Sequence, residues 1–175
     1  GEVEIATSHV VMQVMLLISL GLDGFAHATE ALAGSAWGKG KAKAFHRWVI
    51  LTSLWAVAAS VVYSLFFMLA GNSITAVLTD ITTIRLSVES LMPLVIMMPL
   101  ISVACYQFDG VFIAATAGAA MMVTMGISFG VYLLSLHLLV DQQGLYGLWV
   151  SMLIFMAVRG ITQAIWYPKM KSSLS

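Results

Sequence analysis

The sequence has 175 residues, of which 61% are hydrophobic and only 9% charged, whereas an ordinary soluble domain carries roughly 25% charged residues. This imbalance excludes a soluble globular core. The formal net charge is zero, so nothing indicates a nucleic-acid partner, which would need a clustered basic face. The lone Cys105 has no second cysteine with which to form an intrachain disulfide.

The apolar residues occur in long runs that predict membrane-spanning helices. In hydrocarbon every backbone amide must be bonded within its own segment or in a closed barrel, and a helical span needs about 20 apolar residues. Barrel strands would show ten-residue alternation of polar and apolar positions, which these runs lack. We therefore predict an all-α polytopic integral membrane protein in contact with lipid, a single transmembrane domain over residues 1–175, with spans at 5–36, 45–70, 84–115, 118–140 and 145–167.

Short polar joints separate the predicted spans. The segment GKGKAKAFHR follows the first span, and its glycines break the helix. Gly71-Asn72-Ser73 is predicted to form the turn after the second span, and Asp141 to Gly144 the turn after the fourth. Pro93 and Pro99 each remove a backbone donor and are expected to kink the third span.

The distribution of charge among the joints predicts an orientation. Short cytoplasmic loops accumulate Lys and Arg, so the lysine-rich joint and the C-terminus, which carries Lys169 and Lys171, are expected in the cytoplasm. The N-terminus, with Glu2 and Glu4, is then external. Five spans with an external N-terminus are awkward for a complete protein, and we expect the chain to be a fragment that lacks at least one upstream span.

Ionisable residues within the spans are candidates for an ion or substrate site, because charge in a bilayer is costly. Asp23, His27 and Glu30 share one helix face within about 60°, and Asp23 is expected nearest the midplane. A desolvated carboxylate can exchange a proton or bind a cation during transport. Alternatively, the three side chains form a self-sufficient polar cluster that clamps neighbouring helices.

Asp109 is a separate candidate for the same role because Gly110 follows it in the third span. A break at this glycine would free carbonyl groups that join the carboxylate around an ion. The alternative is a turn or a helix end, for which Asp-Gly pairs are common.

Methionines on the first and third spans are candidates for a substrate chamber. Flexible thioethers suit the recognition of varied apolar ligands, and we assign this role to Met12, Met15 and Met97, with Gln13 as a hydrogen-bonding neighbour. The alternative is that these methionines face lipid or fill gaps.

Arginines in the spans are expected to be paired rather than free. Arg85 and Glu89 are spaced as an i, i+4 ion pair. Arg159 is expected to snorkel or to pair with a carboxylate.

Two stretches resemble a known transporter family. SLGLDGFAHATEALAGSAWGKGKAKAF is similar to the eighth helix and following loop of the MATE (multidrug and toxic compound extrusion) family, and YQFDGVFIAAT is similar to the tenth helix of its DinF-like subfamily. Ala114 and Ala117 stand where the subfamily usually has Gly and Arg. The resemblance implies helices eight to twelve of a twelve-helix antiporter, part of its C-terminal lobe.

This resemblance implies that the complete protein is a secondary antiporter that exports cationic or amphipathic drugs in exchange for H⁺ or Na⁺. This chain is then part of the C-terminal lobe, and the missing N-terminal lobe is its expected partner. It also implies that proton coupling depends chiefly on an Asp in the first helix, which this chain lacks. The membrane is then expected to be the bacterial inner membrane. The alternatives are a lipid-linked polysaccharide flippase, which would need several cavity Arg or Lys residues, and a membrane interaction module that transports nothing.

No enzymatic role, cofactor or metal site is predicted. The sequence shows no recognisable spacing of a nucleophile with a base or of metal ligands. H⁺ or Na⁺ is expected only as the coupling ion.

Overall fold

The computed structural model describes residues 1–172, and over that range its regular secondary structure is all α-helix, joined by short turns. Its helices are α1 (Glu2–Gly38), α2 (Ala42–Leu78), α3 (Thr82–Ala114) and α4 (Gly118–Ser172). Each is long and apolar enough to cross a membrane. The predicted class, a polytopic all-α membrane protein, is therefore confirmed.

The five predicted spans are present because α4 consists of two arms. Gly144 interrupts its helical geometry with φ 54° and ψ −126°, a conformation that glycine adopts without the steric cost of a Cβ atom. The arms, 118–143 and 145–172, fold back beside each other, since the rings of Tyr132 and Phe155 meet with centroids 5.7 Å apart. A Cβ at Gly147 would lie only 2.3 Å from the Leu139 carbonyl oxygen, so a glycine is also needed where the arms meet.

The predicted turn at Gly71-Asn72-Ser73 is wrong, because α2 continues through it to Leu78. Gly71 serves packing instead: a Cβ there would lie 2.7 Å from the sulfur of Met92 on α3. The chain turns later, at residues 79–81. Arg85 closes that turn by donating from Nε to the Thr79 carbonyl oxygen at 2.8 Å and from a terminal nitrogen to the Ala76 carbonyl oxygen at 2.9 Å.

The predicted Arg85–Glu89 pair is therefore wrong as well. The carboxylate nearest the guanidinium is that of Asp80, at 3.6 Å. The last carbonyl groups of α2 have no donors within that helix. Arg85 donates to two carbonyl oxygens there and therefore does not pair with Glu89.

The helix α3 lies at the centre of the bundle and packs against each of the other helices. Two buried apolar clusters surround it. One cluster is centred on Ile18, Leu22, Leu91 and Met98; the other, near the joint of α1 and α2, is centred on Ala33, Phe45 and Phe112. The clusters are separated by buried and half-buried polar side chains.

Candidate functional site

The polar side chains between the two apolar clusters form what we term the polar layer. It crosses all four helices and lies nearer the joint of α1 and α2 than the opposite end of the bundle, since Thr29 and Asp109 are in the last thirds of α1 and α3, which end at Gly38 and Ala114. Its members are Thr29 on α1, Thr52 on α2, Gln107 and Asp109 on α3, and Arg159 and Gln163 on α4.

Asp109 forms the charged half of the layer. Its carboxylate lies 2.8 Å from a terminal nitrogen of Arg159 and accepts a hydrogen bond of 2.8 Å from the side-chain amide of Gln163. The Asp109 and Arg159 side chains are only 18% and 13% exposed. The expectation that Arg159 pairs with a carboxylate is confirmed, and the pair is electrically neutral.

Close helix packing on two sides positions Asp109. On one side, a Cβ at Gly160 would lie 2.9 Å from the Ala104 Cβ, so the glycine lets the second arm of α4 approach α3 and brings Arg159 beside the carboxylate. On the other side, a Cβ at Gly110 would lie 2.4 Å from the Ala26 carbonyl oxygen on α1. The small residues allow the backbones to approach, as in other membrane helix pairs.

The predicted helix break at Gly110 is wrong. The helix α3 runs without interruption to Ala114, so no freed carbonyl groups surround Asp109. The glycine is needed for contact with α1, and the partners of the carboxylate come from α4 rather than from its own backbone.

The uncharged half of the layer joins α1, α2 and α3. The Gln107 side-chain amide donates to the hydroxyl oxygens of Thr29 and Thr52 at 2.7 and 2.8 Å, and the two hydroxyls are 2.8 Å apart. All three residues are buried. The Oε1 atom of Gln107 has no hydrogen-bond partner within residues 1–172.

The three ionisable candidates of α1 do not act as one group. His27 Nδ1 lies 3.6 Å from the Glu30 carboxylate, and their side chains are 79% and 43% exposed. Asp23 is half-buried and makes no hydrogen bond or ion pair within the described residues. It lies one turn before Ala26, whose carbonyl oxygen faces Gly110, the neighbour of Asp109 in the sequence. The structure thus brings Asp23 and Asp109 into one region and leaves His27 and Glu30 as a separate pair.

Three of the four chamber candidates lie together in the N-terminal half of α1. They line a groove of about 360 Å³, whereas Met97 is exposed elsewhere, on α3. The groove residues are His9, Met12, Gln13, Met15, Leu16 and Ser19.

A second cavity continues from the same face of α1. It has a volume of about 230 Å³ and lies between α1 and both arms of α4. Met12 and Met15 line it together with Tyr132 and Trp149. The indole nitrogen of the buried Trp149 has no hydrogen-bond partner among residues 1–172.

Sequence reasoning missed Gln107, Thr29, Thr52 and Gln163. Each is a polar residue in an apolar run, and that position was the available signal, since such side chains hydrogen-bond across membrane helices. No group of three or more His, Cys, Asp or Glu side chains suited to a metal ion occurs in residues 1–172.

These features define the class of protein: a polytopic membrane protein with a buried, charged layer between its helices. No protein-family model matches the sequence. The chain is 31% identical over 173 residues to DNA damage-inducible protein F of Escherichia coli (strain K12), a match that covers 95% of this chain and 36% of that protein.

The fold matches that of a solved transporter. The eukaryotic MATE transporter AtDTX14 superposes with a TM-score of 0.92 and 13% sequence identity, over 99% of this chain and 40% of that one. The resemblance to MATE transporters of the DinF-like kind is thereby confirmed. The chain spans well under half the length of either protein.

Proposed function

We propose that the chain forms helices eight to twelve, within the C-terminal lobe, of a secondary antiporter that exports cationic or amphipathic drugs in exchange for H⁺ or Na⁺. The observation that carries this proposal is the superposition of 99% of the chain on a MATE transporter with a TM-score of 0.92. Alternating access requires one half to move against another around a shared site. The remaining length of the relatives would provide the N-terminal lobe.

The charge balance around the polar layer supports an ion-coupled role. Asp109 is compensated by Arg159, whereas Asp23, in the same region of the bundle, has no counter-ion within residues 1–172. The three groups together carry one surplus negative charge when both carboxylates are ionised. A proton or Na⁺ that enters this region would neutralise the surplus, and Asp23 is the carboxylate available to receive it.

The groove on α1 is the proposed contact surface for the drug. Met12 and Met15 offer flexible apolar contacts, and Gln13 offers a hydrogen-bonding amide. Because Met12 and Gln13 are exposed, a ligand held between the lobes would reach them without rearrangement of this bundle. Met97 is not part of this surface.

The positions of the arginines argue against the alternative of a polysaccharide flippase. Such a protein would present free cationic groups to a lipid pyrophosphate, but Arg159 is bound to Asp109 and Arg85 is bound to the end of α2. A non-transporting interaction module would need no layer of buried charge. We therefore favour transport, in a bacterial inner membrane with the C-terminus in the cytoplasm.

The test is ion-driven dye efflux by the complete transporter with single amide substitutions. We expect Asp23→Asn and Asp109→Asn to reduce efflux at normal expression. The matched control is Glu30→Gln, which makes the same change outside the polar layer and should leave turnover near wild type. If both Asp variants retain wild-type efflux together with wild-type pH and Na⁺ dependence, neither carboxylate carries coupling. Such a result would move the coupling site to the N-terminal lobe.

A further inference from the structure

The basic residues of this chain are concentrated at one end of the bundle. The sequence holds eight Lys and Arg residues and eight Asp and Glu residues. The formal net charge is therefore zero, although the positive charges lie apart from most of the negative ones. Apart from Arg85 and Arg159, every basic residue lies either near the joint of α1 and α2 or in the last turns of α4. We term this surface the basic end; its residues are Lys39, Lys41, Lys43, Arg47, Lys169 and Lys171.

The fold brings the two basic segments together. His46 Nδ1 on α2 lies 2.7 Å from the Tyr167 hydroxyl on α4, and the rings of Phe45 and Tyr167 stack with centroids 6.5 Å apart. Met170 is buried in the same apolar cluster as Phe45. Lys169 and Lys171 therefore emerge beside the lysine-rich joint, although more than a hundred residues separate them in sequence.

No carboxylate of residues 1–172 compensates these charges. Residues 31–79 and 142–172 contain neither Asp nor Glu. Within residues 1–172 no ion pair involves a residue of the basic end. Five of its six basic residues are exposed, and Lys171 is half-buried. Four of the carboxylates lie towards the opposite end of the bundle: Glu2, Glu4, Asp80 and Asp141. The Glu30 carboxylate lies 3.6 Å from His27.

Aromatic side chains border the basic end on its apolar side. Trp37, Trp48 and Trp166 are half-buried beside it, and the Lys169 ammonium lies 5.3 Å from the centre of the Trp166 ring. Trp and Tyr favour the depth of the lipid headgroups, where one edge of the ring is apolar and the other wet. The cationic groups just beyond them are therefore at the level of lipid phosphates.

We propose that the basic end is a binding surface for the headgroups of anionic phospholipids, whose phosphate oxygens supply counter-charges that residues 1–172 do not provide. Clusters of four to eight Lys and Arg residues beside a membrane helix attract anionic lipid in general. Here the cluster is assembled from two distant segments over a rigid apolar base, so it retains lipid at a defined place. The proposal is independent of the transported substrate.

The native tryptophans allow a direct test. The chain carrying Trp55→Phe, which removes the exposed tryptophan deeper in α2, is placed in phosphatidylcholine vesicles that contain phosphatidylglycerol, and either lipid carries brominated chains. Bromine quenches only the tryptophans it touches. We expect brominated phosphatidylglycerol to quench with a relative affinity roughly five-fold above that of phosphatidylcholine, and this preference should fall as salt is raised.

Substitutions at the basic end should abolish the preference. Changing all six residues to Gln should bring it to about one-fold, and Lys169→Gln with Lys171→Gln should remove part of it, since each charge contributes separately. Changing the five lysines to Arg keeps the charges and should keep the preference. The matched control is Asp80→Asn with Asp141→Asn, which also changes the net charge by two but at the opposite end, and it should have no effect.

Three results would overturn the proposal. The first is equal quenching by the two brominated lipids when all six basic residues are present. The second is a preference that survives the Gln substitutions or responds as strongly to the control. The third is relief of quenching by inorganic phosphate that exceeds the relief caused by sodium chloride at the same ionic strength, which would mean that the surface binds free phosphate. Helix content is measured for every variant by circular dichroism, and if the six-residue variant loses helix, the Arg variant and the Lys169–Lys171 double variant decide.

Discussion

Removing either charge of the Asp109–Arg159 ion pair should destabilise the bundle, and the two removals should cost different amounts of unfolding free energy. Both side chains are less than one-fifth exposed, and breaking a buried ion pair in general costs about 3–5 kcal/mol. Hydrogen bonds between membrane helices measure lower, about 0.6 kcal/mol on average. We therefore expect each single substitution, Asp109→Asn or Arg159→Met, to reduce the free energy of unfolding by about 2–3 kcal/mol.

The asymmetry follows from the chemistry of the group that remains. After Arg159→Met, the Asp109 carboxyl keeps its bond from Gln163 and can take up a proton. After Asp109→Asn, the guanidinium cannot lose its charge, and its Nε atom already has no partner within residues 1–172. Asp109→Asn should therefore cost more. The double variant has no stranded charge and should be less destabilised than the sum of the singles by about 1–2 kcal/mol.

The assay is unfolding in mixed micelles by titration with dodecyl sulfate, followed by circular dichroism, for the wild type, both single variants and the double variant. The matched control is a cycle with Glu30→Gln and His27→Gln, whose pair is largely exposed and should show little coupling. Additivity within about 0.5 kcal/mol at the Asp109–Arg159 pair would refute the reasoning.

Three further predictions concern packing, the α2–α3 turn and topology. Gly110→Ala places a methyl group against the Ala26 carbonyl oxygen and should cost about 1–3 kcal/mol of unfolding free energy, whereas Gly126→Ala, with no atom within 4 Å, should be neutral or stabilising in the same titration. Arg85→Met removes two hydrogen bonds to the end of α2 and should speed hydrogen exchange in residues 75–81; unchanged exchange would contradict this role. Single cysteines at Lys41 and Ser73 in a Cys105→Ser background should label from the cytoplasmic and external sides respectively, and labelling from one side only would contradict the orientation.

The spans could be predicted from the sequence because the bilayer restricts the alternatives. An apolar run long enough to cross the bilayer must satisfy its backbone internally, which favours a helix. The fold-back of α4 at Gly144 is marked in the sequence by the polar residues that precede this glycine. The sequence misplaces a turn at Gly71 because a glycine in an apolar run gives the same pattern in two cases: it can break its own helix, or it can let a second helix approach. Only the position of Met92 on α3 distinguishes these cases.

The candidate site was predicted in part. The sequence identified Asp23 and Asp109 because a carboxylate in an apolar run is unusual, but it could not show which helix provides a partner. Arg159 lies 50 residues after Asp109, and their contact depends on the close approach at Gly160. Local spacing favours the Arg85–Glu89 pair and the group around His27. In the folded chain, however, Arg85 binds the end of α2, and Asp23 lies apart from the pair of His27 and Glu30.

The central claim, that this chain is one part of a two-lobed antiporter, is tested most directly by dye efflux from matched vesicles. One set contains the complete transporter, and the other contains residues 1–175 alone at equal protein density. The account predicts efflux driven by an H⁺ or Na⁺ gradient from the first set and none from the second. Gradient-driven efflux from residues 1–175 alone, or its absence from the complete transporter, would contradict the account.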